Sequence, residues 1–380
     1  MGTAKAPPVE PSWLKSAQSL DQWIEDQPVD LPLGIDSEFE RVNTFYPVPG
    51  LVQISAGPDV RLVEPSAVAD SQHFRSLLED GERIKLLYAM GEDLELFREW
   101  LGVTTRGVLD LQIAGAFCGY GLSAGYVRIV AELMNVTLSK DQTRSDWLSR
   151  PLTLAQQQYA MADVYYLLPL YELLSTKLED RGLLEAMLEE TEQALARQTM
   201  REAPEDYYLR LRSAWRLSTG RQAVLRALCA WREERCRELD RPRGRVVSDQ
   251  LLTAIADALP RNARELAAVE GMPAGLVRRE YKNLLAVIEG VVKAEPAVFT
   301  AIPAPLTRHE QQSLRTVKSV IRSAAEARGL PLELVAPRRY LEPAVREGLA
   351  AGSMPGFLSQ GWRGELLAPY HDELESFFDE

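Results

Sequence analysis

The chain has 380 residues, of which 46% are hydrophobic and 26% charged, and its formal net charge is −12. This length exceeds the usual single-domain range, so we expect two or three domains; the hydrophobic share is that of a globular protein. No apolar run is long enough to cross a bilayer, and the net negative charge argues, at first sight, against a nucleic-acid partner.

Strand and helix patterns alternate through the first half of the chain. Residues 1–11 lack the apolar core of a signal peptide and are expected to form a short flexible lead. The alternation that follows predicts an α/β domain with a mixed sheet flanked by helices. The predicted elements are strands over 33–39, 51–54, 59–63, 85–90 and 108–111, a turn over 47–50, and helices over 66–77, after 91, after 111, from about 123 onward, and over 183–201.

Acidic residues stand at three points of this pattern. Asp36 and Glu38 are at i and i+2 of a predicted strand, so their side chains leave the same face and can reach one metal ion. Asp93 lies at the start of the helix that follows the fourth strand. Tyr159 and Asp163 are at i and i+4 of a predicted helix and share a face, which puts a hydroxyl beside the last carboxylate.

These residue types suit the hydrolysis of a phosphodiester by metal ions. The reaction needs a nucleophile at neutral pH and stabilisation of charge on the attacking and leaving oxygens, and a pair of divalent ions about 4 Å apart supplies both. Hard cations such as Mg²⁺ or Mn²⁺ prefer carboxylate and water oxygens. A free tyrosine has a pKa near ~10, so Tyr159 is expected to orient the attacking water rather than act as a strong base. Each motif alone has an ordinary alternative, such as a solvated strand end or a helix N-terminal acid.

The order and local contexts of these five residues resemble the DEDD 3′→5′ exonucleases, in the branch that carries a tyrosine. Residues 36–54, 109–119 and 141–153 resemble the ribonuclease D family, and the resemblance covers roughly residues 12–200. It implies a ribonuclease H-like fold. It also implies that two Mg²⁺ or Mn²⁺ ions are held by the four acids and that Tyr159 orients the nucleophile; the acids are Asp36, Glu38, Asp93 and Asp163.

Two positions depart from the family pattern. Ser37 stands where threonine is commoner, and residues 119–125 lack a tryptophan often found in that loop. Neither departure is expected to touch the predicted metal ligands, so we expect catalysis to be undisturbed.

The second half of the chain is helical by pattern. We place a domain boundary near 205, so that residues 1–205 form the exonuclease domain and are expected to fold by themselves. Residues 206–292 resemble the small helical domain shared by helicases and ribonuclease D (HRDC). Residues 293–380 resemble the end of ribonuclease D, which implies a second HRDC-like helical module. Trp362 is expected to be either an interdomain packing residue or a base-stacking platform.

Charge is distributed unevenly between these parts. Residues 1–220 hold 33 Asp and Glu against 20 Lys and Arg, whereas residues 221–290 hold 13 Lys and Arg against 10 Asp and Glu. This suits an acidic catalytic domain followed by a domain that grips nucleic acid, although a solvated helical surface would look similar. Arg241, Arg243 and Arg245 crowd a predicted Pro/Gly loop and are candidate contacts for phosphates.

The resulting hypothesis is a cytoplasmic, monomeric hydrolase: a 3′→5′ exoribonuclease that acts on RNA with a free 3′ end, tRNA precursors above all, and releases nucleoside 5′-monophosphates. The three cysteines, Cys118, Cys229 and Cys236, form no CxxC pair, which favours a reducing compartment. One alternative is a DEDD exonuclease that acts on DNA, which the acids do not exclude. The other is a catalytically inactive nucleic-acid-binding adaptor, against which the five intact motif residues argue.

Overall fold

The computed structural model describes residues 10–138, 142, 145–294 and 298–378. Contacts divide the chain into two compact units. The first unit takes Met1–Glu40, Val48–Thr199 and Leu306–Glu380, and the second takes Arg41–Pro47 and Met200–Pro305. The units are therefore not consecutive blocks, and the predicted bounds at 205 and 292 stay predictions. Within the described ranges, no helix is both long and apolar enough to span a membrane.

The first unit is built on a mixed sheet, which has six strands in the described residues. The strands are β1 (Trp13–Leu14), β2 (Leu33–Glu40), β3 (Val48–Ala56), β4 (Asp59–Val63), β5 (Lys85–Leu87) and β6 (Val108–Asp110). Their order across the sheet is β1-β4-β3-β2-β5-β6. The β2–β3 and β3–β4 pairs are antiparallel, and the remaining pairs are parallel.

Helices make up most of the rest of the described chain. Those of the first unit before residue 200 are α1 (Ala17–Glu25), α2 (Pro65–Asp70), α3 (Gln72–Glu79), α4 (Gly91–Leu101), α5 (Leu111–Phe117), α6 (Tyr126–Met134), α7 (Leu154–Tyr165), α8 (Leu167–Asp180) and α9 (Leu184–Thr199). Those of the second unit are α10 (Thr219–Leu239), α11 (Arg243–Val246), α12 (Asp249–Ala258), α13 (Ala263–Ala267) and α14 (Ala274–Lys293). The chain ends with α15 (Arg308–Ala327), α16 (Leu332–Val335), α17 (Arg338–Ala351), α18 (Gly356–Ser359), α19 (Gly361–Leu367) and α20 (His371–Ser376), and 3-10 turns cover Pro204–Arg210, Arg212–Arg216 and Ala368–Tyr370.

Side chains of β2 and β3 alternate between two covered faces of the sheet. Ile35 and Ile54 belong to the core formed with α1 to α4. Leu51 belongs to the core formed with α5 to α9, and the Ser55 hydroxyl donates to the carbonyl of Val164 in α7. Even-numbered residues of β2 share a face with odd-numbered residues of β3, so the acids of β2 leave the sheet on the α7 side.

The predicted turn at 47–50 is wrong, because β3 already begins at Val48 and pairs with β2 from there. The register shifts between Glu38 and Phe39, next to Pro49. Such a bulge locally interrupts the ladder and so accommodates a proline, which has no N–H to donate. The local composition favoured a turn, but strand pairing extended the ladder through it.

Two further predicted elements are shorter in the structure. The predicted helix over 66–77 is two helices, because Ser71 ends α2 and its hydroxyl caps α3 by accepting a hydrogen bond from the N–H of Phe74. The predicted strand over 85–90 stops at Leu87, and Ala89, with a φ of 60°, turns the chain into α4. The two-residue strand β1 was not predicted, since so short a segment has no detectable period.

The helices after residue 306 share the core of the first unit. Val317 and Ile321 of α15 lie in the same buried cluster as Leu170 and Leu174 of α8. Truncation at 205 would expose this cluster to water, which argues against the expectation that residues 1–205 fold by themselves.

Trp362 is a packing residue in the structure. Its side chain is 3% exposed, its ring lies 5.0 Å from that of Phe117, and its indole N–H donates to Glu190 at 3.1 Å. A side chain enclosed in this way offers no face to a nucleobase, so the base-stacking alternative is excluded. The indole instead joins α19 to α9 and α5.

The second unit contains the segment that connects β2 to β3. Phe45 of this segment is buried, and the backbone N–H groups of Phe45 and Tyr46 donate to the Asp240 carboxylate at 2.9 and 3.0 Å. The guanidinium groups of Arg237 and Arg243 lie 5.1 and 5.0 Å from the centre of the Phe45 ring. Cation–π contacts and a charge-assisted turn therefore anchor this loop on the end of α10.

Candidate active site

Three of the predicted acids converge at the α7 face of the sheet. Asp36 and Glu38 come from β2, and Asp163 comes from α7. One carboxylate oxygen from each lies within 4.8 Å of the others. At this spacing the three residues could share a single cation.

Asp93 comes from the first turn of α4, and its charge is close enough to Glu38 and Asp163 to help raise their pKa values. It is 7% exposed, and its carboxylate accepts a hydrogen bond from the hydroxyl of Ser37. The expectation that Ser37 touches no predicted ligand is therefore wrong. Ser37 alternates to the α4 side of β2, between two acids that point to the other side. This alternation was visible in the sequence, but which helix covers that face was not.

Tyr159 and Asp163 share one face of α7 as predicted. The helix starts with a capping box, in which Thr153 and Gln156 bond each other's backbone and side chain. The Tyr159 hydroxyl donates to the Asp163 carboxylate. The ring of Tyr159 lies 6.0 Å from that of Trp147. Asp163 therefore fixes the hydroxyl of Tyr159, and Trp147 packs against its ring.

The site favours protonated acids in the absence of a cation. Burial and the neighbouring carboxylates raise the pKa of Glu38 to about 10. Burial raises the pKa of Asp163 to about 7, although the hydrogen bond from Tyr159 lowers it. Burial and adjacent negative charge also raise the pKa values of Asp36 and Asp93 well above the usual range. Crowded, desolvated carboxylates of this kind gain most from a bound cation.

The chemistry of the donors fits a hard divalent ion. The converging ligand atoms are all carboxylate oxygens, and no histidine or cysteine belongs to the cluster formed by the described residues. Mg²⁺ and Mn²⁺ prefer this set, whereas structural zinc sites use sulfur and nitrogen. Asp36, Glu38 and Asp163 are therefore suited to hold such an ion, with Asp93 close by.

Trp147 packs closely against Gly50 of β3, at a distance that leaves no room for a larger residue at position 50. A Cβ added to Gly50 would lie 2.8 Å from the Trp147 carbonyl oxygen and 3.1 Å from that of Glu38. Arg150 binds the same region, since its guanidinium donates to the Gly50 carbonyl at 2.5 Å and to Glu64 at 3.0 Å. The sequence motif around Trp147 was part of the family resemblance, but its contact with the Tyr159 ring is visible only in the structure.

A second aromatic residue borders the acids on α6. The hydroxyl of Tyr126 donates to the carbonyl of Ala162, next to Asp163, at 2.9 Å. Burial and the charges of Asp163 and Asp36 hold its pKa well above the usual range. The Tyr126 ring meets that of Tyr88 at 5.2 Å. No sequence motif indicated this residue, since a lone tyrosine on an amphipathic helix is ordinary core.

Asp110 fixes the turn that leads into the Asp93 helix. Its carboxylate accepts from the N–H groups of Ala89 and Met90 at 2.9 and 3.1 Å, and it also caps α5 through Gln112 at 2.9 Å. The backbone of Ala89 is in the left-handed region, which is unfavourable for a residue other than glycine, so the hydrogen bonds from Asp110 stabilise this turn. Asp110 therefore sets where α4 starts without itself joining the acid cluster.

The three candidate RNA-binding arginines differ in the structure. The Arg243 guanidinium donates to both oxygens of buried Glu233, at 2.5 and 2.7 Å, and lies 4.9 Å from the Tyr207 ring. Arg241 and Arg245 are exposed. The predicted Pro/Gly loop is partly the short helix α11. Arg243 thus has a packing role inside the second unit, and the other two remain available to a ligand.

Two family profiles match the chain. The profile of the 3′-5′ exonuclease family matches residues 11–179 and covers every residue of the acid site. The profile of the HRDC domain matches residues 221–288, within the second unit.

Whole-chain relatives agree with these matches. Ribonuclease D of Pseudomonas paraeruginosa is 36% identical over 94% of this chain and 96% of its own length, and that of Escherichia coli is 34% identical over 91% and 93%. The crystal structure of Escherichia coli RNase D, described as an exoribonuclease involved in structured RNA processing, superposes with a TM-score of 0.87 at 32% identity, covering 98% of this chain and 100% of that one. The catalytic core of RRP6 from Trypanosoma brucei, 20% identical with a TM-score of 0.56, shares the fold.

Proposed function

Because this chain belongs to the ribonuclease D family of 3′-5′ exoribonucleases, we propose that it trims the 3′ ends of structured RNA, including tRNA precursors, and releases nucleoside 5′-monophosphates. The observation that carries the proposal is the convergence of three carboxylates within 4.8 Å, with Asp93 and Tyr159 beside them. The description of the Escherichia coli protein as a processor of structured RNA supports the choice of substrate.

The residues have distinct roles in this mechanism. Two Mg²⁺ or Mn²⁺ ions, when bound, would supply a nucleophile at neutral pH and stabilise charge on the attacking and leaving oxygens. Asp36, Glu38 and Asp163 would hold these ions, and Asp93 would hold them directly or through water. Tyr159, hydrogen-bonded to Asp163, orients the attacking water. The Tyr159 hydroxyl positions this water but does not remove its proton, since a neutral phenol is a weak base.

RNA beyond the 3′ end is gripped by the second unit in this proposal. Arg241 and Arg245 are exposed and have no side-chain partner among the residues that the structure describes, so their guanidinium groups are free to meet phosphates. Arg243 supports the same surface through Glu233. We further propose that the protein works as a monomer in the cytoplasm, where its three free cysteines would stay reduced.

Digestion of labelled oligomers tests the proposal. RNA and DNA of one sequence, labelled at the 5′ or the 3′ end, are incubated with the full chain and Mg²⁺ or Mn²⁺, and products are sized by gel. We expect 5′-labelled RNA to shorten one nucleotide at a time, and 3′-labelled RNA to give mononucleotide at once. Faster digestion of DNA would indicate the DNA exonuclease instead.

The Asp36→Ala variant is the matched control for this assay. Charge stabilisation by metal ions is worth several kcal/mol, and each ~1.4 kcal/mol is tenfold in rate, so cleavage should fall by several orders of magnitude while RNA binding persists. A variant that keeps more than a tenth of the wild-type rate would overturn the metal assignment. RNA binding without cleavage by the wild type would indicate the inactive adaptor.

A further inference from the structure

Gln53 is a buried polar residue without hydrogen bonds beside the active site. It lies in the middle of β3 and is 0% exposed. Neither its amide nitrogen nor its amide oxygen has a hydrogen-bond partner among the described residues. Leaving both ends of a buried amide unpaired is destabilising, and an apolar side chain of similar size would avoid that cost. A buried polar residue without partners is rare in folded proteins, which suggests that the neighbouring site has a use for it.

Strand register places Gln53 opposite a metal-ligand candidate. Its directly facing partner on β2 is Asp36, and its partner on β4 is Leu62. Facing residues of an antiparallel pair project to the same side with Cβ atoms about 4.5–5.5 Å apart, so the amide lies within reach of the Asp36 carboxylate. Of its neighbours on the same strand face, Leu51 is apolar and the Ser55 hydroxyl already donates to Val164. Asp36 is thus the polar side chain that faces Gln53 across the ladder.

We propose that Gln53 is a positioning residue of the cation site: when a divalent ion keeps Asp36 ionised, the otherwise unpartnered amide N–H of Gln53 donates to one oxygen of the Asp36 carboxylate, so that the other oxygen is presented to the ion. The inference rests on the proposed function. Ligand carboxylates are commonly oriented by such partners, whose loss weakens metal affinity by about 10- to 100-fold. A donor suits this position because a cation requires Asp36 to be ionised, and an ionised carboxylate accepts hydrogen bonds.

Replacement by an apolar side chain of matching length separates this role from packing. Gln53→Met keeps the unbranched shape and removes both polar ends. Full-length wild type and variant are titrated with Mn²⁺, and the dissociation constant is obtained calorimetrically and from the rise in melting temperature. We expect the Mn²⁺ Kd of Gln53→Met to weaken at least tenfold. In EDTA the variant should melt at or above the wild-type temperature, since two unpaired groups are gone.

Leu51→Met is the matched control. Leu51 is buried on the same face of β3 and faces Glu38 across the ladder, so its replacement disturbs packing near the site without removing a polar group. Its Mn²⁺ Kd should equal that of the wild type. Gln53→Leu serves as a second apolar variant if Gln53→Met does not fold, with the same expected loss of affinity.

A Gln53 variant that folds and binds Mn²⁺ within twofold of the wild-type Kd would overturn the inference, whatever its melting temperature in EDTA. An equal loss of affinity in Leu51→Met would also overturn it, because general packing would then be the cause. Absence of Mn²⁺ binding in the wild type would contradict the proposed function itself. That outcome is distinguishable, because it does not depend on any Gln53 variant.

Discussion

Ser37 points away from the two acids that flank it and donates its hydroxyl hydrogen to Asp93. A hydrogen bond to a charged group is worth about 1.5–3 kcal/mol. We expect Ser37→Ala to lower kcat/KM for RNA by about 10- to 100-fold, because Asp93 loses its orientation. Ser37→Thr keeps the hydroxyl and should stay within a few-fold of wild type. Steady-state cleavage in Mg²⁺ measures both, and equal rates for Ala and Thr would show that the bond is dispensable.

Tyr159 contributes a hydroxyl to Asp163 and a ring to Trp147. Tyr159→Phe removes the first interaction and keeps the second. Since positioned proton-handling groups contribute up to a few orders of magnitude, we expect cleavage to slow by about 10- to 1000-fold with little change in Mn²⁺ affinity. Trp147→Phe is the companion variant, which preserves the hydroxyl. Full activity of Tyr159→Phe would remove the residue from the site.

For individual residues, the sequence was most informative where the chemistry of the site restricts which residue types can serve. Spacing put Asp36 with Glu38, and Tyr159 with Asp163, on shared faces, and the resemblance to the DEDD exonucleases joined them into one candidate site. Ser37 and Gln53 could not be predicted, because their roles depend on which helix covers a face and which strand lies opposite. Those relations are set by packing between distant segments, which no local pattern contains.

Asp110 holds the turn between β5 and α4 together through two backbone N–H groups and caps α5 through a third. Asp110→Ala leaves these donors without their acceptor, so we expect a loss of about 2–4 kcal/mol in the free energy of unfolding. Asp110→Asn retains one acceptor oxygen and should be destabilised less. Urea denaturation of the full chain measures the difference. An alanine variant as stable as the wild type would mean that Ala89 and Met90 hold the turn unaided.

Arg243 packs inside the second unit, whereas Arg241 and Arg245 are exposed to solvent. We expect Arg243→Gln to lower the melting temperature, because it leaves Glu233 buried without its bidentate partner. Arg241→Gln with Arg245→Gln should leave the melting temperature unchanged. That double variant should reduce the salt dependence of RNA binding by about 0.7–0.9 log units for each phosphate that is no longer neutralised. Fluorescence anisotropy across salt concentrations tests this, and an unchanged slope would exclude the pair from the RNA surface.

Elements with strong periodicity matched their predictions, and those governed by capping or pairing did not. The strand that carries Asp36 was predicted over 33–39 and runs over Leu33–Glu40, and Tyr159 lies on a helix, as expected. The helix predicted over 66–77 divided at Ser71 because a hydroxyl cap there outweighs a continuous apolar pattern. The local sequence indicates the propensity for helix or strand. The residue at which an element ends depends on which hydrogen-bond partners its terminal backbone groups find.

The crowded acids should make the whole molecule less stable at higher pH when no cation is bound. A raised pKa means that the folded protein keeps protons which the unfolded chain releases near pH 4. In EDTA, the free energy of unfolding should therefore fall from about pH 4 through about 7 for Asp163, and onward to about 10 for Glu38. Melting temperatures between pH 5 and 8 measure this, and excess Mn²⁺ should weaken or reverse the trend.

Asp163→Asn is the control for this titration. It removes one titrating acid while keeping the shape, so in EDTA it should melt above wild type at pH 8 and depend less on pH. It should also be stabilised less by Mn²⁺. Identical pH dependence in the two proteins would show that Asp163 is not part of a strained cluster.

The division of the chain into an exonuclease part and a helical part could be anticipated from motifs. The membership of each part could not. Residues 293–380 resemble a separate module in sequence order, yet the apolar residues after 306 complete the core of the first unit. Residues 41–47 look like an ordinary strand connection, yet they pack with the second unit. Both assignments depend on contacts between residues far apart in sequence.

This interleaving constrains how the gene can change. The chain passes from one unit to the other after residues 40, 47, 199 and 305, so no single crossover can exchange the helical module for that of a relative. A chimera joined only near 199 and 305 would place a foreign partner against Phe45 and the turn that Asp240 holds. Recombination must therefore carry the short 41–47 loop along with the module, and substitutions in Phe45, Asp240 and Arg237 should coevolve as one inherited set.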